Sequence, residues 1–278
     1  MMMTATCPPT LQSEVLSYIG ITSASCHVIH APTDRPEIAY NVEHHTSLED
    51  AKTSLVQVCK KRLARNKEDR SLRVIVYARS KKNVNNLASK IGCKPFHADL
   101  SEEENKKTFK DWVDGKNKVI VATSLLGCGI DVHGVDLVLH LGTPWSVLDF
   151  AQESGRAGRG GRPSTSIVFA IENEREVETE DGDKYGKRTM QDWALDTSAC
   201  RRMALSWFLD GGHTTCATLP GGALCDFCRK QSTREHPGKL FRFSAPAIHE
   251  GDIPPPRKPP HIPPMSSKYE MELKQHER

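Results

Sequence analysis

Between about Arg73 and Ile171 the chain alternates short, mostly apolar, β-branched runs with stretches of helical composition. The runs are Val74 to Tyr77, Val119 to Ala122, Leu137 to Leu141 and Ser166 to Ile171. A strand covered by helices on both faces reads as a continuous apolar run, so these four predict a parallel sheet. Lys81 to Ile91, Ser101 to Val113 and Ser146 to Glu153 lie between them and read as helices, and Ser101 with Glu104 has the spacing of a capping box. The alternation predicts an α/β domain built on a parallel sheet.

Ahead of this domain, Ser47 to Arg65 reads as a helix with Glu49 and Asp50 at its start and Lys60, Lys61, Arg62 and Arg65 at its end. That polarity complements the helix dipole. Further upstream, Cys26 to His30 and Glu37 to Val42 read as strands flanking a turn at Thr33 to Pro36. After Ile171 the pattern breaks: Glu172 to Asp183 is dominated by acids and cannot be core. Lys184 to Thr189, KYGKRT, lacks the Walker glycine spacing and a leading strand, so it has no phosphate role. A second small module follows from about Met190 to Arg229, and the proline-rich stretch Pro254 to Pro264 predicts polyproline II or disorder.

The length of 278 residues allows one or two domains with a real core. The net charge of +3 is too small to argue for a polyanionic partner, so any nucleic-acid surface must come from local clustering. No apolar signal region follows Met1 and no apolar run is long enough to span a bilayer, which predicts a soluble, intracellular protein without a membrane partner. In a reducing compartment, bunched cysteines suggest metal before disulfide.

Four of the nine cysteines are bunched: Cys200, Cys216, Cys225 and Cys228 have the form C-x15-C-x8-C-x2-C. The Cys225-Asp226-Phe227-Cys228 knuckle lets two thiolates approach one ion from a tight turn, and four thiolates make a closed tetrahedral site of the structural zinc type. A module whose apolar residues are Met203, Leu205, Trp207, Phe208 and Leu209 needs such a staple. His213 is a competing ligand.

Gln152 to Gly161, QESGRAGRGG, sets two arginines three apart among glycines. A guanidinium is a permanent planar charge that matches phosphate oxygens, and glycine lets the backbone come close to a ligand. Arg156 and Arg159 are therefore candidates for contact with a phosphate.

In order along the chain these pieces resemble the second half of the motor core of RecQ-type DNA helicases, members of helicase superfamily 2. Thr4-Ala5-Thr6 with Pro8-Pro9 looks like motif III, and Arg35-Pro36 with Ile38 and Tyr40 looks like the start of the second RecA-like lobe. Val74 to Ser80 resembles motif IV, and Phe96-His97-Ala98 with the following helix resembles the family's tyrosine-histidine-alanine turn. Ala122-Thr123-Ser124 through Gly127-Cys128-Gly129-Ile130-Asp131 resembles motif V, and the Gln152 segment resembles motif VI. Cys200-Arg201-Arg202, Trp207-Phe208 and the later cysteines resemble the RecQ zinc-binding subdomain. Gly160 stands where the family usually has aspartate, and the gap from Cys216 to Cys225 is longer than usual.

The resemblance implies a RecA-like parallel sheet flanked by helices, then a small helical zinc-binding subdomain and a proline-rich disordered tail. Residues 1–25 would be a motif III remnant and inter-lobe linker, 26–172 the C-terminal lobe, 173–189 an acidic connector, 190–230 the zinc-binding subdomain and 231–278 the tail. It also implies ATP with magnesium, a zinc ion, single-stranded or forked DNA as partner, and nuclear work in DNA repair and recombination. Arg156 and Arg159 would reach the γ-phosphate, with Arg159 the arginine finger; Gln152 would couple nucleotide to DNA; Asp131, with Gly129, would approach the ribose or phosphates. Thr123 and Ser80 would hold DNA phosphates without reading bases.

The 278 residues contain neither G-x-x-x-x-G-K-[ST] nor Asp-Glu-x-His ahead of Thr4, so the polypeptide as it stands is expected not to hydrolyse ATP. Two readings follow. In one, the chain is the C-terminal half of an ATP-dependent 3′ to 5′ DNA helicase that needs a first lobe, in cis or in trans. In the other, it is a non-catalytic, zinc-stapled module that binds nucleic acid or regulates a partner.

Overall fold

All four apolar runs are strands of one parallel sheet in the computed structural model, which describes residue 4 and residues 6–21, 26–69, 71–127, 132–172, 183 and 185–235. The strands are β1 (Ile38–His45), β2 (Arg73–Ala78), β3 (Pro95–Phe96), β4 (Val119–Ala122), β5 (Val135–Leu141) and β6 (Ser164–Ile171). Their order across the sheet is β1-β6-β5-β2-β4-β3, and every pairing is parallel.

Eight helices surround the sheet among the described residues: α1 (Pro9–Tyr18), α2 (Leu48–Arg65), α3 (Lys81–Ile91), α4 (Glu102–Val113), α5 (Val147–Ser154), α6 (Lys187–Leu195), α7 (Arg201–Asp210) and α8 (Asp226–Glu235). The start of four of them is fixed in the same way. Ser47, Ser80, Ser101 and Ser146 each stand in extended backbone just before a helix and accept a hydrogen bond from the backbone N–H three residues on. At Ser101 the capping box expected from the sequence is complete, with Glu104 accepting from the Ser101 backbone N–H.

Side chains alternate across a strand, and this alternation splits the core in two. Val74, Val76 and Ala78 of β2 point to one side, where they meet Ala51, Leu55 and Cys59 of α2 and Val84, Leu87 and Ala88 of α3. Ile75 and Tyr77 point to the other, into a cluster with Phe150 of α5, Trp193 of α6 and Leu205 and Phe208 of α7. The chain runs from β2 through α3 toward β3, and from β5 through α5 toward β6, so the helices following these two adjacent strands lie on opposite faces. The gap between the carboxyl ends of β2 and β5 is therefore a topological switch point, the place where open parallel sheets form ligand crevices.

Three expectations change. Cys26 to His30 is not a strand; Ile29 is almost fully exposed, so this run has no core to face. The linker assigned to residues 1–25 contains α1, started by Pro9 at its first position, where a missing N–H costs nothing. The cysteine-bearing segment also does not rely on its own few apolar residues. Leu205, Phe208 and Leu209 are buried while Met203 and Trp207 are exposed, and the buried ones join Tyr40, Val42, Phe150 and Val168 in one continuous cluster.

The segment KYGKRT has a structural use. Gly186 adopts a left-handed conformation (φ 79°) ahead of α6, and the Asp183 carboxylate accepts from the backbone N–H of Arg188 at 2.7 Å and of Thr189 at 2.8 Å. A side chain on Gly186 would meet Val147 and Phe208 at 2.8 Å, so glycine answers both backbone and space there. No helix among the described residues is long and apolar enough to cross a membrane. The expected acidic connector and the proline-rich tail lie largely outside the described residues.

Candidate nucleotide and nucleic-acid interface

The candidate site is organised around Tyr77, near the end of β2. In register, Tyr77 faces Ala122 of β4 on one side and His140 of β5 on the other. Its ring stacks on His140 with centroids 5.4 Å apart and planes at 18°. His140 Nε2 lies 3.1 Å from Oε2 of Glu153, which is on α5 in the motif VI segment. Burial pushes the Tyr77 phenol well above its ordinary range and the Glu153 carboxylate adds to this, while the nearby Arg156 and Arg159 guanidiniums pull it back. A buried Tyr-His-Glu-Arg group thus ties the end of β2 to the arginine loop.

That loop turns tightly between α5 and β6. Gly158 adopts φ 69°, and a side chain there would meet Glu37 Cγ at 2.4 Å and Ser164 Oγ at 2.7 Å, so only glycine closes the turn. The Gly158 N–H donates to the carbonyl of Val135 at 3.0 Å, and Arg35 donates to the carbonyls of Gly155 at 2.6 Å and Ala157 at 2.8 Å. Held in this way, Arg156 is buried at 6% exposure, Arg159 is half-buried, and Gln152 is exposed.

Ser80 and Thr123 lie on the adjacent rim. Ser80 follows β2 and caps α3 through its hydroxyl oxygen, while Thr123 follows β4 and leads into a single 3-10 turn at Ser124–Gly127. Because β2 and β4 are neighbours, both hydroxyls stand at the carboxyl edge of the sheet. The structure therefore separates the predicted residues into two groups, the arginines in the loop between α5 and β6 and the hydroxyls at the carboxyl rim, with Tyr77 near the end of the strand that leads to Ser80. Gly129 and Asp131 lie outside the described residues. Tyr77, His140 and Glu153 were missed from sequence; the available signal was a polar aromatic and a histidine inside otherwise apolar strand runs.

The four predicted cysteines meet. All four Sγ atoms lie within 4.8 Å of one another. The Cys200 and Cys216 sulfurs are 3.6 Å apart, and those of Cys200 and Cys225 are 4.0 Å apart. Tetrahedral zinc with bonds of about 2.3 Å places its sulfurs roughly 3.8 Å apart, so the donor set fits that ion. Backbone N–H groups point at the sulfurs: Cys216 to Cys200 and Cys225 to Cys216, both at 3.3 Å, and Cys228 to Cys225 at 3.5 Å. His213 is exposed and stands outside the sulfur group.

Two arginines bind this cluster to the sheet. Arg201 makes a forked pair with Asp226, Nε to Oδ1 at 2.9 Å and Nη2 to Oδ2 at 3.0 Å, and Asp226 Oδ2 also accepts from the Val42 N–H of β1 at 3.3 Å. Arg202 donates to the carbonyls of Arg35 at 3.0 Å, Ile38 at 2.7 Å and Ala223 at 3.2 Å, with its guanidinium 5.2 Å from the Tyr40 ring centre. Each carries a charge into the core with polar partners around it.

Comparison with known proteins bears on this arrangement. Residues 54–161 match the family model described as the helicase conserved C-terminal domain. A putative ATP-dependent DNA helicase Q1 from Caenorhabditis briggsae is 30% identical over 242 residues, covering 83% of this chain and 37% of that protein. The ATP-dependent DNA helicase Q5 of Rattus norvegicus is 30% identical over 181 residues, covering 63% of this chain and 18% of that protein. This chain thus spans about a third or less of these relatives' length. Among solved structures, Saccharomyces cerevisiae Dbp5 bound to RNA and ADP BeF3 shares the fold at a TM-score of 0.54 and 19% identity, over 69% of this chain and 48% of that one.

Proposed function

The chain carries the C-terminal lobe of a RecQ-type helicase of superfamily 2, and from that premise we propose that it completes the ATP site of a two-lobed DNA motor and holds the DNA backbone. The observation that carries this reading is the fixed link between the two groups. The buried Tyr77-His140-Glu153 contact ties the end of β2, the strand that leads to Ser80, to the α5 segment that leads into the arginine loop. Arg159, the more accessible arginine, acts as the finger that stabilises charge on the transferring γ-phosphoryl group, and buried Arg156 positions the loop. Gln152 lies exposed beside them to sense the nucleotide. ATP with magnesium, held by a first lobe, supplies the phosphoryl group and the energy of the cycle.

Ser80 and Thr123 hold phosphates of single-stranded or forked DNA, giving grip without base specificity. Zinc on Cys200, Cys216, Cys225 and Cys228 crosslinks α7, the following loop and α8, and takes no part in the chemistry. The family implies nuclear work on DNA in 3′ to 5′ unwinding.

The test is DNA-stimulated ATP hydrolysis. The purified 278-residue chain is expected to give none; supplied with a first lobe bearing the Walker sequence, it is expected to turn over, and Arg159→Ala to lose on the order of a thousandfold. Turnover by this chain alone that disappears with Arg159→Ala would overturn the division of labour. A second reading, a non-catalytic zinc-stapled binding module, is favoured by the shared core: cysteine cluster and sheet are packed as one piece that can hold DNA without a motor.

A further inference from the structure

Trp145 is a large aromatic residue in the loop between β5 and α5, and it keeps 45% of its surface in solvent. One face of its ring is covered. The Arg79 guanidinium sits 4.2 Å from the centre of its ring, and Arg79 Nη2 also donates to the carbonyl of Pro144, the residue before it, at 3.3 Å. One cation therefore braces both the ring and the backbone that carries it, and a preorganised ring loses little freedom when something stacks on it.

The position is equally specific. Trp145 and Arg79 border a shallow, open cleft outside the carboxyl ends of β2 and β5, the topological switch point of the sheet, and Ser124 and Thr143 line it with them. Arg79 directly precedes Ser80, and Ser124 directly follows Thr123. The aromatic ring thus stands on the same rim as the hydroxyls assigned to the DNA backbone, next to a mostly apolar cleft that also carries the hydroxyls of Ser124 and Thr143.

We propose that Trp145, braced by Arg79, is a stacking shelf for a base of single-stranded DNA whose phosphates lie on the Ser80 and Thr123 rim. The proposal rests on the DNA-holding reading above and adds a contact to it. A flat ring beside hydroxyl donors matches a nucleotide, which offers a π-face and a phosphate a few ångströms apart. Stacking of this kind tolerates any sequence, because every base has a face to offer.

Binding is measured by fluorescence anisotropy at low salt for the full chain, on a labelled oligothymidine and on an abasic strand of the same length, which keeps the phosphates and lacks the bases. The expected result is about tenfold weaker binding of oligothymidine by Trp145→Ala, no change on the abasic strand, and recovery of most of the loss in Trp145→Phe. Matching melting curves check that the Trp145→Ala chain is folded. If Trp145→Ala binds both strands as the unchanged chain does, the shelf is refuted while the DNA-holding reading stands, and the ring is left as a protein contact. If the unchanged chain binds neither strand, the DNA-holding reading falls and the shelf with it.

Discussion

The two faces of the sheet are built from the same strands and bury different chemistry. Against α2 and α3 the sheet presents Val74, Val76, Val121, Leu139 and Phe169, met by Leu55, Cys59, Val84 and Leu87, and the interior there is apolar. Against α5 to α8 the sheet presents Tyr77 and His140, which meet Glu153 and Arg156, and Tyr40, which meets Arg202, with the cysteine cluster buried on the same side. Burying such groups is costly unless they find partners, and on this face stacking of Tyr77 on His140, the forked Arg201–Asp226 pair and the backbone carbonyls that accept from Arg202 supply them. Strand alternation makes the separation possible: one position carries packing, the next carries the site. One face supports the fold, and the other positions the arginines and the cysteine cluster.

The strongest way to break this comparison is to disrupt the cysteine cluster. Cys225→Ser is expected to abolish zinc binding and to unfold the contacts of α6 to α8, since metal affinity in such a cluster is also folding energy. Zinc quantification reads the first effect and amide hydrogen exchange the second. Protection should fall in α6 to α8 and persist in α2 and α3, which belong to the other cluster. Equal loss of protection on both faces would show them to be one cooperative unit.

What was legible in the sequence follows the same division. Strands covered on both sides announce themselves as apolar runs, and the four internal ones were found within two residues of their ends. The serine-started helices were legible because a cap is a local interaction. The cysteine spacing was legible because the four sulfurs it predicted to meet do meet. Tyr77, His140 and Glu153 were not, because their meeting depends on the register of β2 against β5, which is fixed by tertiary topology. β3 was missed because two residues on a sheet edge leave no periodic trace, and α1 because it has no fully buried residue to mark an apolar stripe. The same limit hid the core of the cysteine module: its apolar residues looked too few because half of the surface they pack on belongs to the sheet.

A change confined to the supporting face should cost stability and leave the site intact. Leu55 is fully buried between α2 and the sheet, and Leu55→Ala is expected to destabilise the chain by about 2–5 kcal/mol through lost burial and the cavity left behind. Below the melting transition, zinc content and single-strand binding should match the unchanged chain. A drop in zinc retention at 25 °C, measured well below melting, would show that the supporting face also tunes the metal cluster.

The smallest effect isolates a purely local contribution at the edge of the sheet. Ser101 accepts from the Glu104 N–H at 3.2 Å and its own N–H donates to Glu104 Oε2 at 3.0 Å, outside both buried clusters. Ser101→Ala should cost about 1 kcal/mol, read as a shift in the denaturant midpoint with an unchanged slope. The sign of its pH dependence is fixed. Hydrogen bonds from the Ser101 side chain and backbone hold the Glu104 carboxyl below its ordinary value, so the contribution of this pair is present above the unfolded carboxyl pKa and fades as pH falls through the lowered one. The penalty of Ser101→Ala should therefore narrow in acid, whereas that of Leu55→Ala, which involves no titrating group, should not.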